Sequence, residues 1–298
     1  MKIRTLTITL ALALLPVISS KAETIYVLTT LDQIISFDSA TPGNILSARG
    51  LTGLQANETL LGLDARPANG LLYALGNSSR LYTVDPATGA ATQVGSGQFS
   101  PLLNGTTYSF DFNPTVDRIR VTTDLDQNLR LNPITGSVAA VDTNLVYAAG
   151  DSRFGQNPSV NGVAYNNNVA GAATTTLFGI DSVLNTLVTV GSPSPNDGSL
   201  HTVGALGIDA SRFNGFDISG ITGVAYLVSP AASSDPAANL YTVNLADGTV
   251  TLIGKIGAVD TDVLVRGMTS AVPEPGIGAL LAFGGGFGGF VLWRRRRS

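Results

Sequence analysis

Along the middle of the chain, apolar residues come in short runs broken by glycine, proline, asparagine and aspartate. Runs of that length, bounded by turn formers, read as strands rather than helices. The stretch "GLLYALGNSSRLYTVDPATGAATQVG" predicts three strands, around residues 71–75, 80–84 and 91–94, with "DPATG" as the turn before the last. The same pattern returns from Asp117, Thr175 and Gly223, and a looser copy starts at Thr24. The turn glycines Gly43, Gly89, Gly136, Gly198 and Gly248 are 46, 47, 62 and 50 residues apart, the long interval reflecting an insertion near 144–159. A further strand precedes each triplet: "LGLDARP" lines up with "YSFDFNP", and "NGVAYNN" and "NGFDISG" take the same place. The first copy has no such strand before it, and "VRGMTS" at 265–270 supplies one from the other end of the chain.

Four strands in each repeat of about 45 residues is the period of a propeller. The pattern therefore predicts an all-β, five-bladed β-propeller over residues 23–271, closed by a terminal strand that leaves no open edge. Both faces of the strands are apolar, with Leu81 and Thr83 on one side and Tyr82 and Val84 on the other, as blades stacked on both sides require. A pair of β-sandwiches or a β-solenoid is the rival architecture. The one tryptophan, Trp293, lies outside the repeats, so they are not of the WD type.

The two ends read differently. Lys2 and Arg4, the apolar stretch 8–18 and the small residues Ser20 and Ala22 make residues 1–22 a secretory signal, cleaved before Glu23 by signal peptidase. Residues 272–298 form a tail: Pro273, Glu274 and Pro275, an apolar run over 276–293, then Arg294, Arg295, Arg296 and Arg297. Eighteen residues of helix span about 27 Å, enough for a thin bilayer core, and the arginines act as a membrane stop on the cytoplasmic side. The many glycines make this a mediocre permanent helix, and a transient anchor is expected over a lasting one, more from the tail's resemblance to a sorting signal than from these energetics.

Composition narrows the classes. There is no cysteine, which excludes disulfides, thiolate nucleophiles and cysteine zinc sites. The terminal segments hold seven of the 17 basic residues and only Glu274 of the 21 acidic ones. The body between them is strongly acidic, which excludes nucleic acid as a partner.

Two resemblances follow from quoted residues. "SFDFNPTVDRIRVTTDLDQNLRLNPITG", "GVAYNNN", "TTLFGIDSVLNTLV" and "PNDGSLHTVGALGID" resemble the bacterial domain-of-unknown-function family 4394. That resemblance implies secreted β-propeller-like repeats and no assigned activity. The Pro-Glu-Pro motif, apolar run and arginine cluster are similar to the PEP-CTERM sorting signal, which implies handling by an exosortase.

Candidate chemistry is sparse. His201, the one histidine, has strand spacing and no G-x-S-x-G partner, so it reads as a strand-surface residue. Asp64, Asp111 and Asp217 occupy matching places in three innermost strands and are expected to line the channel. They would hold a cation, calcium being suited to oxygen ligands, or ordered waters; the alternative is that each accepts backbone hydrogen bonds that lock neighbouring blades. Asp124, Asp126 and Asn128 in "TDLDQN", with Asp151, Arg153 and Asn157 in the insertion, are expected on one face as a loop patch for a ligand or partner. The alternative is solvated loops with Asx turns. The residues favour an exported, non-enzymatic binding or scaffold protein of the cell envelope or extracellular matrix, with exopolysaccharide or envelope components as partners. The other class is a metal-dependent propeller hydrolase, lactonase- or esterase-like, using the channel carboxylates.

Overall fold

A computed structural model of the chain describes residues 22–192, 194–232, 235–257 and 264–270. The predicted secretory signal, apart from Ala22, and the predicted tail with its apolar run, Pro273, Glu274, Pro275 and the four arginines lie outside the described residues. Among the described residues no helix is long and apolar enough to cross a membrane.

The first blade takes β1 (Thr24–Thr29), β2 (Gln33–Asp38) and β3 (Ile45–Gly50). The second is β4 (Leu60–Ala65), β5 (Leu72–Gly76), β6 (Arg80–Val84) and β7 (Ala91–Val94). The third is β8 (Tyr108–Asn113), β9 (Arg118–Thr123), β10 (Asn128–Leu131) and β11 (Val138–Val141). The insertion contributes β12 (Val146–Tyr147), and the fourth blade follows as β13 (Val160–Tyr165), β14 (Leu177–Asp181), β15 (Thr186–Val190) and β16 (Ser199–Ala205). The fifth is β17 (Gly215–Ile218), β18 (Ala225–Ala232), β19 (Asp235–Val243) and β20 (Val250–Lys255), and β21 (Val265–Ser270) comes last. Each blade is a four-stranded antiparallel meander, to which β12 adds a fifth, parallel strand outside β16 in the fourth, and β21 joins the first blade as its innermost strand, so five blades close as predicted. Inner strands β21, β4, β8, β13 and β17 neighbour one another in a ring.

Why these strands pack this way follows from their two apolar faces. Burial runs through whole strands such as β5, β13 and β14 instead of alternating. Apolar clusters join the second and third blades, the fourth and fifth, the fifth and first, and the first and second. The junction between the third and fourth blades is different. There Arg120, almost wholly buried, donates to Asn128 Oδ1 at 2.6 Å, Asp142 Oδ2 at 2.7 Å, Asn196 Oδ1 at 2.8 Å and the Tyr165 hydroxyl at 3.3 Å.

The ring sets the polarity of the molecule. Inner strands run the same way round the axis, so the turns that follow them gather at one end, here called the exit end. Ile25 pairs with Ser270, so the start of β1 and the end of β21 emerge side by side there. Glu23 is fixed at that end: its carboxylate accepts from the hydroxyls of Ser219 and Thr222, which follow β17. The blade-to-blade linkers, including the 142–159 insertion, lie at the far end.

Candidate functional site

Five equivalent positions of the inner strands carry Asp64, Asp111, Ala164, Asp217 and Thr269. The neighbouring inner strands approach closely, and glycine permits it. A Cβ on Gly215 would stand 2.7 Å from the Met268 amide nitrogen, and one on Gly267 would stand 2.7 Å from that of Leu63. The three aspartates are fully buried, and one oxygen of each lies within 4.8 Å of the others. Thus the structure brings together all three residues that the repeat alignment placed in the channel.

Their bonds run from blade to blade. Asp64 Oδ2 accepts the Phe112 amide at 2.7 Å, Asp111 Oδ2 accepts that of Tyr165 at 2.9 Å, and Asp217 Oδ2 accepts that of Ser270 at 2.6 Å. Thr269 Oγ1 ties the first blade to the second by accepting the Ala65 amide at 3.1 Å and donating to Asp64 Oδ1 at 3.0 Å. Ala164 has no acceptor to offer, and the Ile218 amide turns to Asp217 Oδ1 of its own blade at 2.6 Å. Four of the five junctions at the axis are therefore tied by a side-chain oxygen on a neighbouring strand's amide.

The electrostatics follow from burial. Desolvation holds Asp64 and Asp111 well above the ordinary carboxylate range and raises Asp217. Asp217 pushes Asp64 further, and Asp64 and Asp217 push Asp111. With an oxygen of each carboxyl group within 4.8 Å of the others, the cluster favours a shared proton over three negative charges. A cation could take that proton's place, with the three oxygens as ligands, though calcium takes about six to eight. Above the axial glycines the channel narrows to a cavity of about 10 Å³, lined by Ser109, Asn161 and Asn214 among others, where one water fits and Asn214 Oδ1 lacks a partner.

Raised carboxyl pKa values make a prediction with a definite sign. The folded protein binds more protons than the unfolded chain above about pH 4, so the cluster's stability is full at low pH and is lost as pH rises through the folded values. Asp111→Asn keeps the acceptor for Tyr165 and removes one of the three carboxyl groups crowded at the axis. Its melting temperature is expected to exceed that of the native protein by several degrees at about pH 8, at roughly 2–4 °C per kcal/mol, and to match it near about pH 4. Calorimetry across that range checks this, and a lower melting temperature for the variant at the alkaline end contradicts it. Calcium raising the native melting temperature but not the variant's would identify the cation form.

The loop patch is only partly assembled for binding. Asp124 accepts from the Thr106 amide at 2.7 Å and the Thr106 hydroxyl at 2.6 Å, tying the linker to its own blade. Asn128 is buried in the Arg120 network. Asp151 Oδ2 accepts the Thr202 amide at 2.6 Å, pinning the insertion to the outer strand of the fourth blade. The insertion does start against the "TDLDQN" turn, through the Leu145 amide on the Asp126 carbonyl at 3.0 Å. Asp126 is half-buried and its carboxyl is pushed up to about 6 by burial, then by Asp124 and Asp181. Asn157 is exposed and Arg153 half-buried. Asp124, Asn128 and Asp151 thus hold the loops in place, whereas the side chains of Asp126, Arg153 and Asn157 do not fasten one loop to another.

Four residues escaped the sequence reading. Thr269 was within reach, since "VRGMTS" aligns with the aspartate-bearing strands and puts threonine at their position. Arg120 and Glu23 carry no local signal of their roles, nor does Asn168, which is fully buried after β13 with its side-chain amide unpaired.

A closed five-bladed propeller with four of its five axial junctions tied by side-chain hydrogen bonds defines the class, with Thr24 and Ser270 at one end and the blade-to-blade linkers at the other. The chain belongs to the family described as Domain of unknown function (DUF4394), which matches residues 33–269. A PEP-CTERM protein-sorting motif matches residues 271–297 and marks the chain for export and exosortase handling at the cell envelope. No curated protein matches the chain. Among solved structures, one described as a nidogen/laminin complex is similar at 13% identity and TM-score 0.48, covering 85% of this chain and 100% of the other. A structural genomics protein of unknown function from Bacteroides thetaiotaomicron VPI-5482 is similar at 16% identity and TM-score 0.47, covering 78% and 58%. A candidate 6-phosphogluconolactonase from Bacteroides uniformis ATCC 8492 is similar at 14% identity and TM-score 0.43, covering 79% and 82%. No activity or partner is carried over from these.

Proposed function

We propose that this exported propeller acts without catalysis, as a binding or scaffold protein of the cell envelope or extracellular matrix. The observation that carries the reading is the polarity of the disc. Ile25 and Ser270 are paired at the exit end, so a tail attached after Ser270 would start there, on the side opposite the long insertion. Asp126, Arg153 and Asn157 are the polar contacts offered there, with exposed Leu125 and Phe154 next to them in the chain. Exopolysaccharide or another envelope component is the partner. The axial carboxylates support this over hydrolysis, because they are fully buried and the cavity above them of about 10 Å³ has no room for a substrate. The combined variant Asp126→Asn, Arg153→Ala, Asn157→Ala leaves the scaffold bonds untouched. It is expected to melt as the native protein does and to bind purified cell-envelope polysaccharide at least about tenfold more weakly in a pull-down. Equal binding by both proteins sinks the far-end reading.

A further inference from the structure

At the exit end, the turns after β13 and β17 stand apart around an open pocket of about 440 Å³, within the range of small-ligand sites. Its walls are held by the structure. On one side Asn167 Nδ2 donates to the Thr174 carbonyl at 3.0 Å, and the Gly171 amide reaches the Pro114 carbonyl of the third blade at 3.0 Å. On the other, Ser219 Oγ accepts the amides of Ile221 at 3.0 Å and Thr222 at 3.1 Å while donating to Glu23. Among these lining residues is Asn168, fully buried, with neither its amide nitrogen nor its amide oxygen paired. Among the described residues it is the one buried side-chain amide with both atoms unpaired. A buried polar group left without a partner destabilises the fold, and one that persists calls for an explanation.

We propose that this pocket binds a neutral saccharide unit, whose adjacent hydroxyls pair with the donor and acceptor of the Asn168 amide. A sugar hydroxyl both gives and accepts a hydrogen bond, so two neighbouring ones satisfy both atoms. No charged side chain lines the pocket, which leaves an acidic sugar or a phosphate without a counter-charge. Asn167 Oδ1 and the Thr174 hydroxyl add polar groups, and Val169, Ala172 and Ala173 supply small apolar surface for ring C–H groups. A peptide fits less well: peptides typically add to a free sheet edge or anchor a large side chain, and the inner strands here have neighbours on both sides. Asn168 is covered in the free protein, so the ligand shifts the 166–176 turn to reach it. The pocket is separate from the far-end patch, and either proposal can fail without the other.

The test uses the protein isolated from its cells, the neutral probes cellobiose and diacetylchitobiose, the acidic probe digalacturonate, and the blocked tripeptide acetyl-Gly-Pro-Gly-amide. A neutral disaccharide is expected to raise the melting temperature and to shift an Asn side-chain amide pair in the NMR spectrum, and the other probes to do neither. Asn168→Ala should melt at or above the native temperature without ligand, because it removes an unpaired amide, and should lose the saccharide shift. Thr174→Val, at an exposed wall position, should keep the native melting temperature and weaken saccharide binding several-fold, and it gives the readout if the first variant does not fold. Response to the acidic probe or the tripeptide instead, or to no probe, overturns the proposal. So does an Asn168→Ala protein that folds but melts below the native one, which would mean that an ordered water already satisfies the amide.

Discussion

Ending the chain before Val265 is expected to abolish cooperative folding, and ending it after Ala271 to leave the fold intact. β21 is short, but it is the innermost strand of the first blade and has partners on three sides. It pairs with β1 from Ile25↔Ser270 to Thr29↔Val265. Val265 and Met268 are buried in the cluster shared by the first and fifth blades, and each such side chain contributes about 1.5–3 kcal/mol. Asp217 loses both the amide and the hydroxyl of Ser270, at 2.6 and 2.8 Å, and is left as a buried carboxylate short of donors. Losses to a buried charge are of order 1.5–3 kcal/mol per bond, against a net domain stability of about 5–15 kcal/mol. Without β21 the inner edge of β1 also lies open, which invites pairing with another chain. Circular dichroism and thermal melting of the two truncations check this. A cooperative melt from the shorter chain, or its absence from the longer one, contradicts the placement of the closure.

Arg120→Met should cost the native protein about 3–5 kcal/mol, the range for breaking a buried charged network, and lower the melting temperature by roughly 6–20 °C. Methionine fills much of the volume but makes none of the bonds. Asn128 Oδ1 and Asn196 Oδ1 would lose a donor in a dry junction. Asp142 would be less affected, because Arg130 also holds it, at 2.7 and 2.9 Å. Lysine should rescue only in part, since one ammonium cannot reach four acceptors spread over two blades. Arg130→Met, at a partly exposed position paired with Asp142 alone, is the comparison and should cost far less. If Arg120→Met melts within a few degrees of the native protein, the third–fourth junction is not held by this network.

The fold was legible because its determinants are local and repeated. Turn formers such as the proline and glycine of "DPATG", and strand runs with two apolar faces, recur at each blade and require no knowledge of distant partners. Even the closure could be read, since the first copy lacks an inner strand and "VRGMTS" supplies it. The axial aspartates could be aligned by the same period, but not their role. Whether they face a cation or lock neighbouring strands depends on which amides stand opposite, and those amides lie 48, 54 and 53 residues away.

The loop patch shows the limit most clearly. Asp124, Asn128 and Asp151 have the residue types of a ligand set, yet the structure uses them to fasten loops to blades. A carboxylate or amide in a sequence does not reveal whether its lone pairs are already taken. By itself the sequence determined the all-β class, the number of blades, the strand positions and the closing strand, because backbone preference and two-sided burial act within a few residues. Only the tertiary structure decided that Thr269 ties the first blade to the second at the axis, that Arg120 fills one junction with polar contacts, and that Asn168 is left unpaired beside a pocket. Each of these depends on distances between blades, which close packing sets and which no period along the chain records.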